Sequence, residues 1–463
     1  MRPDIGFPQN LAGASCPAGF LPVELPTGVN EQARKRWLGD GTVASRLGRF
    51  CDYELMTRLS RSLTPLLAGC IVTFLQIVMA VALLAPEEPI ANRYSALIQH
   101  DSYWFMNIID RGYQTVVPPV DHKVMEVSNV AFFPAYPAIA ALIRNAFNIR
   151  SGTALLITAQ LAAWGFWSYF FLFCKRWKVA ASLQVCGTLL ILANPAAFFL
   201  VAAYSESLFL MALFGFIYWS TAEGRTAKVV AALHGIVMSA TRIVGIVCAA
   251  FPLVRSVFQT GWRELLKPGK WLRENLAAVG LTLLAACGGI AFFILCQVRW
   301  GHWNLYMLTQ AAGWGIVPDY LAVVRPENYR WFIPALNDPT EMSQLSMTLG
   351  AALLVAVAVV ELIPAIRRRA GLPVRAGIYF CAATIYYLSV SGVACVDMES
   401  MLRYEFIAYA LIVLALLNFL RQFRTAPVWV RAFGTAAVAL VSAAGLCVQG
   451  WYVWNFTRGH WVA

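Results

Sequence analysis

Apolar runs long enough to cross a bilayer and nearly free of charge recur along the whole chain, and nothing else in the sequence constrains the fold as much. They lie near 64–86, 152–173, 179–200, 207–222, 276–297, 347–363, 376–395, 404–420 and 432–452, and a further run at 229–254 is interrupted by Arg242. A helix needs about 20 apolar residues to cross the hydrocarbon, where helices and closed barrels alone satisfy the backbone. Only 13% of residues are charged, against about 25% in an average soluble domain. A water-soluble enzyme, a disordered chain and a fibrous repeat are excluded. The reading is an all-α polytopic membrane protein.

Charge placement sets the expected topology, because Lys and Arg collect in cytoplasmic loops. The 1–63 segment carries Arg2, Arg34, Lys35, Arg36, Arg46, Arg49, Arg58 and Arg61, so a cytoplasmic N-terminal segment is expected. The first helix should open at Thr64-Pro65, an N-cap and N1 pair. Lys175–Lys178, Arg225 with Lys228, Arg255–Arg273, Arg367–Arg369 and Arg421 with Arg424 all fall inside if 152–173 is the second span. The 229–254 run is then a hairpin of two short helices with Arg242 at its far-side tip. About 11 spans result, filling a transmembrane domain over 64–452, with a far-side tail at 453–463. Two large periplasmic or lumenal loops lie at 87–151 and 298–345. Within the first, Phe132–Phe147 carries Pro134, Pro137 and Arg144 and suits a helix on the membrane surface.

The net charge of +12 is spread in short clusters between apolar runs, so no nucleic-acid partner is expected. The 11 cysteines show no metal-ligand spacing, and Cys70, Cys186, Cys248 and Cys287 read as small core residues.

Candidate chemistry falls on the far side. In the first loop, His100-Asp101-Ser102-Tyr103-Trp104 opens a short helix that Gly112 closes. Asp101 is either a helix cap or a general base at the mouth of a membrane cavity. Trp104 is either an interface anchor or a ring for stacking a sugar. Glu206, in Tyr204-Ser205-Glu206-Ser207, lies between apolar helices, where a carboxylate must face protein or water. Arg242 and Arg403, the latter followed by Tyr404, are cations at the same level, and the second loop adds Arg299, His302, Gln310 and Trp314. Charges of both signs at one membrane depth suit an anionic lipid head group and a hydroxyl to be deprotonated.

Taken in order, Asp101-Ser102-x-Trp104-Phe105 with Gly112-Tyr113, Phe132-Phe133-Pro134-x-Tyr136-Pro137, Asn194-Pro195-Ala196 and Tyr204-Ser205-Glu206-Ser207-Leu208-Phe209 resemble the PIG-V family over about residues 60–420. These are mannosyltransferases of the GPI-anchor pathway and their bacterial relatives, of the GT-C class of integral-membrane glycosyltransferases. The resemblance implies a GT-C fold and inverting transfer of a hexose, mannose first, from a polyprenyl-phosphate donor to a lipid or glycan hydroxyl. Asp101 maps onto the catalytic carboxylate, and Arg403-Tyr404 onto the pair near the donor phosphate. Arg242 and His302 would assist there. Glu206 would orient the acceptor or a sugar hydroxyl, and His100, Trp104 and Gln310 would complete the substrate site. No cofactor is required by a single-phosphate donor, although relatives in the class use a divalent ion. The expected place is a bacterial inner membrane, or the ER membrane in a eukaryote, with the active site periplasmic or lumenal. The chain departs from the family at His100, where an aromatic is usual, at Ile243-Val244 and at Gly301-His302-Trp303. The residues alone also admit a lipid transporter or flippase, and an acyltransferase built on His100-Asp101.

Overall fold

A computed structural model describes residues 63–85, 89–115, 128–335, 338–363, 371–422 and 427–462. The expected cytoplasmic lead-in (1–63, apart from its last residue), Arg367–Arg369 and Arg424 lie outside the described residues.

Among the described residues every regular element is helical and there is no strand. The helices are α1 (Leu63–Leu83), α2 (Ile90–Ser95), α3 (Asp101–Arg111), α4 (Ala135–Phe147), α5 (Ser151–Arg176), α6 (Ala181–Leu192), α7 (Glu206–Ser220), α8 (Arg225–Thr241), α9 (Val244–Cys248), α10 (Phe251–Thr260), α11 (Pro268–Glu274), α12 (Leu276–Trp300), α13 (Leu305–Trp314), α14 (Pro339–Leu362), α15 (Leu372–Val393), α16 (Met401–Leu420) and α17 (Val428–Phe456). Seven of them, α1, α5, α12, α14, α15, α16 and α17, are long and apolar enough to cross a membrane. The protein is therefore a multi-pass integral membrane protein, and among the described residues seven long helices stand against the expected count of about 11 spans, two of which were expected to be short. The other expected spans correspond to shorter helices, α6, α7, α8 and the α9–α10 pair.

The bundle is sorted by burial. α16 is the most enclosed of the long helices and α17 the least. On α1, Leu67, Ile71 and Phe74 form an exposed stripe at helical spacing, a lipid-facing surface. Phe166, Trp167, Phe170 and Phe173 of α5 lie fully inside. Trp167 donates its indole N–H to Gln76 of α1 at 2.7 Å, and Gln76 donates to the Ala197 carbonyl at 3.2 Å. That chain satisfies two polar side chains where no water can. α8 and α12 approach so closely that a Cβ at Gly288 would meet the Ile236 carbonyl oxygen at 2.1 Å. Small residues at such contacts replace the hydrophobic drive that lipid removes.

Two irregularities set up the site. The 229–254 run is broken where expected: Arg242 is extended (φ −150°, ψ 144°) between α8 and α9. The segment expected to lie along the membrane surface forms α4, opened by Pro134 and packed on α3 and α5. Of the cysteines read as core, Cys248 is buried, but Cys70 and Cys287 are exposed on helix faces. Where lipid covers a helix, an apolar residue need not lie in the protein core.

Candidate active site

Asp101 is the first residue of α3, so its carboxylate faces the positive end of the helix dipole. The start of α3 is pinned to the buried connector before α7: Ser102 donates to the Ala203 carbonyl at 3.0 Å, and the Ala203 N–H donates to the Leu97 carbonyl. His100, just ahead, has φ 49° and ψ −110°, a conformation that side-chain-bearing residues avoid. Burial holds the His100 imidazole below its ordinary value, and Arg403 pushes the same way.

Glu206 is the first residue of α7 and is fully buried, again at a helix N-terminus. A buried carboxylate needs cations and finds two. Arg242 Nη2 lies 3.0 Å from Oε1, and Arg403 Nε lies 3.3 Å from the same oxygen. The other oxygen, Oε2, has no partner. Arg242 reaches the site because it caps the C-terminus of α8, the end that favours a cation.

Arg403 has no such dipole support, since it lies in the first turn of α16. Its place is fixed instead by Asp101, whose Oδ2 is 2.6 Å from Nη1. Four aromatic rings complete the surroundings, with Cζ 5.0 Å from the Tyr404 centroid, 5.1 Å from Tyr204, 5.6 Å from Trp461 and 5.7 Å from Phe199. All are within cation–π range. The chain Asp101–Arg403–Glu206–Arg242 thus alternates in sign and sums to zero. The turn before α16 is strained as well, with Asp397, Met398 and Ser400 all at positive φ. Backbone strain of this kind concentrates at functional sites. Glu399 in that turn has its carboxyl pushed up by burial, with Arg403 pulling the other way.

All four charges line one cavity of about 380 Å³. Its walls are Phe105, Phe132 and Phe133 on one side and Ile385, Leu388 and Ile407 on another, with Tyr306, Gln310 and Tyr404 adding polar atoms. Val247 and Leu388 also belong to an adjoining apolar groove formed with Phe380, Ala383, Thr384 and Tyr387. The α15 residues of that groove repeat at three and four, so they form a single stripe along the helix.

Of the residues singled out in the sequence, the structure brings Asp101, Glu206, Arg242, Arg403, Tyr404 and Gln310 to this cavity. Five do not line it: His100, Trp104, Arg299, His302 and Trp314. His100 packs on Trp461 and Phe456. Trp104 packs between Phe132 and Trp314. His302 lies in the turn before α13, where its carbonyl accepts from the Leu305 N–H. Sequence reasoning missed Tyr204 and Phe199 as walls of the Arg403 cage, although Tyr204 lies in a motif it used and Phe199 between two of them, and Trp461, which stands in a segment taken as a tail. Among the described residues no group of three or more His, Cys, Asp or Glu converges to hold a metal.

Fold and site together define a helical integral membrane protein with a charged cavity and, sharing Val247 and Leu388 with it, a neighbouring apolar groove. No protein-family model matches the chain, and no curated protein matches it in sequence. The PIG-V resemblance therefore rests on its short motifs alone. Solved structures similar to it include the archaeal oligosaccharyltransferase AglB from Archaeoglobus fulgidus in complex with an inhibitory peptide and a dolichol-phosphate (TM-score 0.44, 13% identity). The same organism's oligosaccharyltransferase tethered to an acceptor peptide (0.42, 13%) and in the apo form (0.43, 14%) are similar too. The overlap covers 86–87% of this chain but only 55–56% of those chains. So distant a likeness decides neither activity nor substrate.

Proposed function

We propose that the protein is an inverting membrane glycosyltransferase that moves a hexose, mannose first, from a polyprenyl-phosphate donor to a lipid or glycan hydroxyl on the non-cytoplasmic face. The observation that carries this reading is the Asp101–Arg403–Glu206–Arg242 chain on the wall of a cavity that shares Val247 and Leu388 with a neighbouring apolar groove. A charged pocket joined to an apolar furrow suits a ligand with an anionic head and a hydrocarbon tail.

In this reading Asp101 accepts the proton of the acceptor hydroxyl. The oxygen attacks the anomeric carbon while the bond from that carbon to the phosphate oxygen breaks. The bonding electrons leave with the phosphate, which Arg403 and Arg242 hold. Arg403 Nη1 is engaged by Asp101 in this structure, so the phosphate and the carboxylate compete for one guanidinium. Glu206 keeps both arginines aimed at the cavity through its shared oxygen. The tail of the donor would lie along Leu388, Thr384 and Phe380 of α15.

Transfer is tested with purified protein in nanodiscs, radiolabelled polyprenyl-phosphate mannose and a crude host lipid extract, beside Asp101→Asn. A labelled product whose formation falls by about 10²–10⁴-fold in the variant supports the reading. Lipid that binds while no label moves, with mannose or glucose donors, would replace it with a transporter or flippase. Transfer that survives EDTA supports the metal-independent form of the reaction.

A further inference from the structure

We propose that Trp461 is a positioning residue for the Asp101–Arg403 pair, holding Asp101 through His100 and Arg403 directly; the catalytic part of this rests on the transferase reading above. The chain leaves α17 at Phe456 and turns through 457–459, where Gly459 has φ +82° and the His460 N–H donates to the Asn455 carbonyl at 3.1 Å. This turn sends Trp461 and Val462 back into the body of the protein, and Val462 is buried. Trp461 meets the His100 ring edge-on, with centroids 4.9 Å apart, and Phe456 packs on His100 at 5.9 Å. The same indole lies 5.6 Å from the Arg403 guanidinium carbon. One ring therefore touches both the residue that precedes Asp101 and the cation that pairs with it.

Two features separate this arrangement from ordinary packing or an interfacial anchor. First, His100 keeps a backbone conformation that only its surroundings can enforce, and the rings on it come from 456–461 rather than from its own loop. Second, the indole Nε1 of Trp461 is buried without a partner, as is His100 Nε2. A buried indole usually finds a hydrogen-bond acceptor, and an interfacial one keeps its N–H toward water. Trp461 does neither, so ring contacts set its position. Aromatic faces also hold a guanidinium without consuming its N–H donors, which keeps those donors for an anion.

The test compares Trp461→Phe and Trp461→Ala, with Trp461→Leu in reserve should the alanine variant not fold. Transfer kinetics and hydrogen exchange of the 97–106 segment are read on the same nanodisc samples. In Trp461→Ala, kcat falls by about tenfold or more, as a small misplacement of reacting groups can cost up to about 10²-fold, while KM for the donor stays within about twofold. Trp461→Phe recovers most of kcat. Exchange at 97–106 rises in the alanine or leucine variant, and α8–α12 stays protected. Unchanged kcat and unchanged exchange in the alanine or leucine variant would overturn the proposal. So would a phenylalanine variant as impaired as alanine. If the unaltered protein transfers no sugar but the exchange effect is present, the transferase reading falls and the positioning of Asp101 stands.

Discussion

The two ends of α16 each carry a buried charge cluster, and they are built differently. At its start, Arg403 shares Asp101 and Glu206 with a cavity, Glu206 Oε2 has no partner, and the neighbouring backbone is strained. Toward its end, Asn418 accepts from a fully buried Arg375, which grips Glu361 through both oxygens at 2.5 and 3.1 Å, while Tyr379 donates to the same carboxylate. No buried side-chain atom of that second cluster lacks a partner. Packing is tight enough that a Cβ at Gly371, already at φ +99°, would meet Asn418 Oδ1 at 2.9 Å. The first cluster keeps unused hydrogen-bonding capacity beside open space; the second has none and serves to lock α14, α15 and α16 together.

The sharpest way to break this contrast is to neutralise each end in turn. Arg403→Gln should abolish most transfer, by about 10²-fold or more if Arg403 stabilises the leaving phosphate, while leaving the folded fraction high in fluorescence-detected chromatography. Arg375→Met should do the opposite. It strands Glu361 and lowers stability by about 3–5 kcal/mol, seen as a drop in melting temperature, with kcat per folded molecule preserved. A smaller effect is expected from Arg242→Met, which leaves Glu206 paired with Arg403 alone. Donor KM should rise, with kcat affected less. The smallest is a pH effect. Because burial lowers the His100 value in the folded state, the unfolded chain takes up the proton first as pH falls through 6.5. Stability from this group is present above that pH and lost below it. Melting temperature should decline on acidification in the unaltered protein and decline less in His100→Gln.

Much of the first cluster was legible in the sequence, because Asp101, Glu206, Arg242 and Arg403 are charges at span ends, where a charge is conspicuous. Their pairing was not. Asp101 and Arg403 are 302 positions apart, and no periodicity carries that distance. Arg375 and Glu361 were not singled out, because each stands alone near a span end and only the fold brings the two together. The span positions were legible from apolar runs, and the break at Arg242 from one charge inside such a run. The count was not, because α6, α7, α8 and the α9–α10 pair are short, and composition does not distinguish a short apolar helix from a full crossing. Trp461 was invisible for another reason: an aromatic near the end of a span reads as an interface anchor, and only the turn at Gly459 brings it inward.

The cancellation of charge among Asp101, Glu206, Arg242 and Arg403 has a consequence for how an anionic lipid is recruited. A centre with zero net charge has a short-range field. At distances beyond the Debye length of about 8 Å at physiological salt it exerts little pull. Steering from bulk solution, which speeds encounters with strongly charged clefts, is therefore weak here. For the lipid donor proposed above, encounter would fall to confinement within the plane of the bilayer, with a two-dimensional search bringing it along the α15 groove. Occupancy of such a centre should follow the surface density of the lipid in the membrane and respond only slightly to added salt.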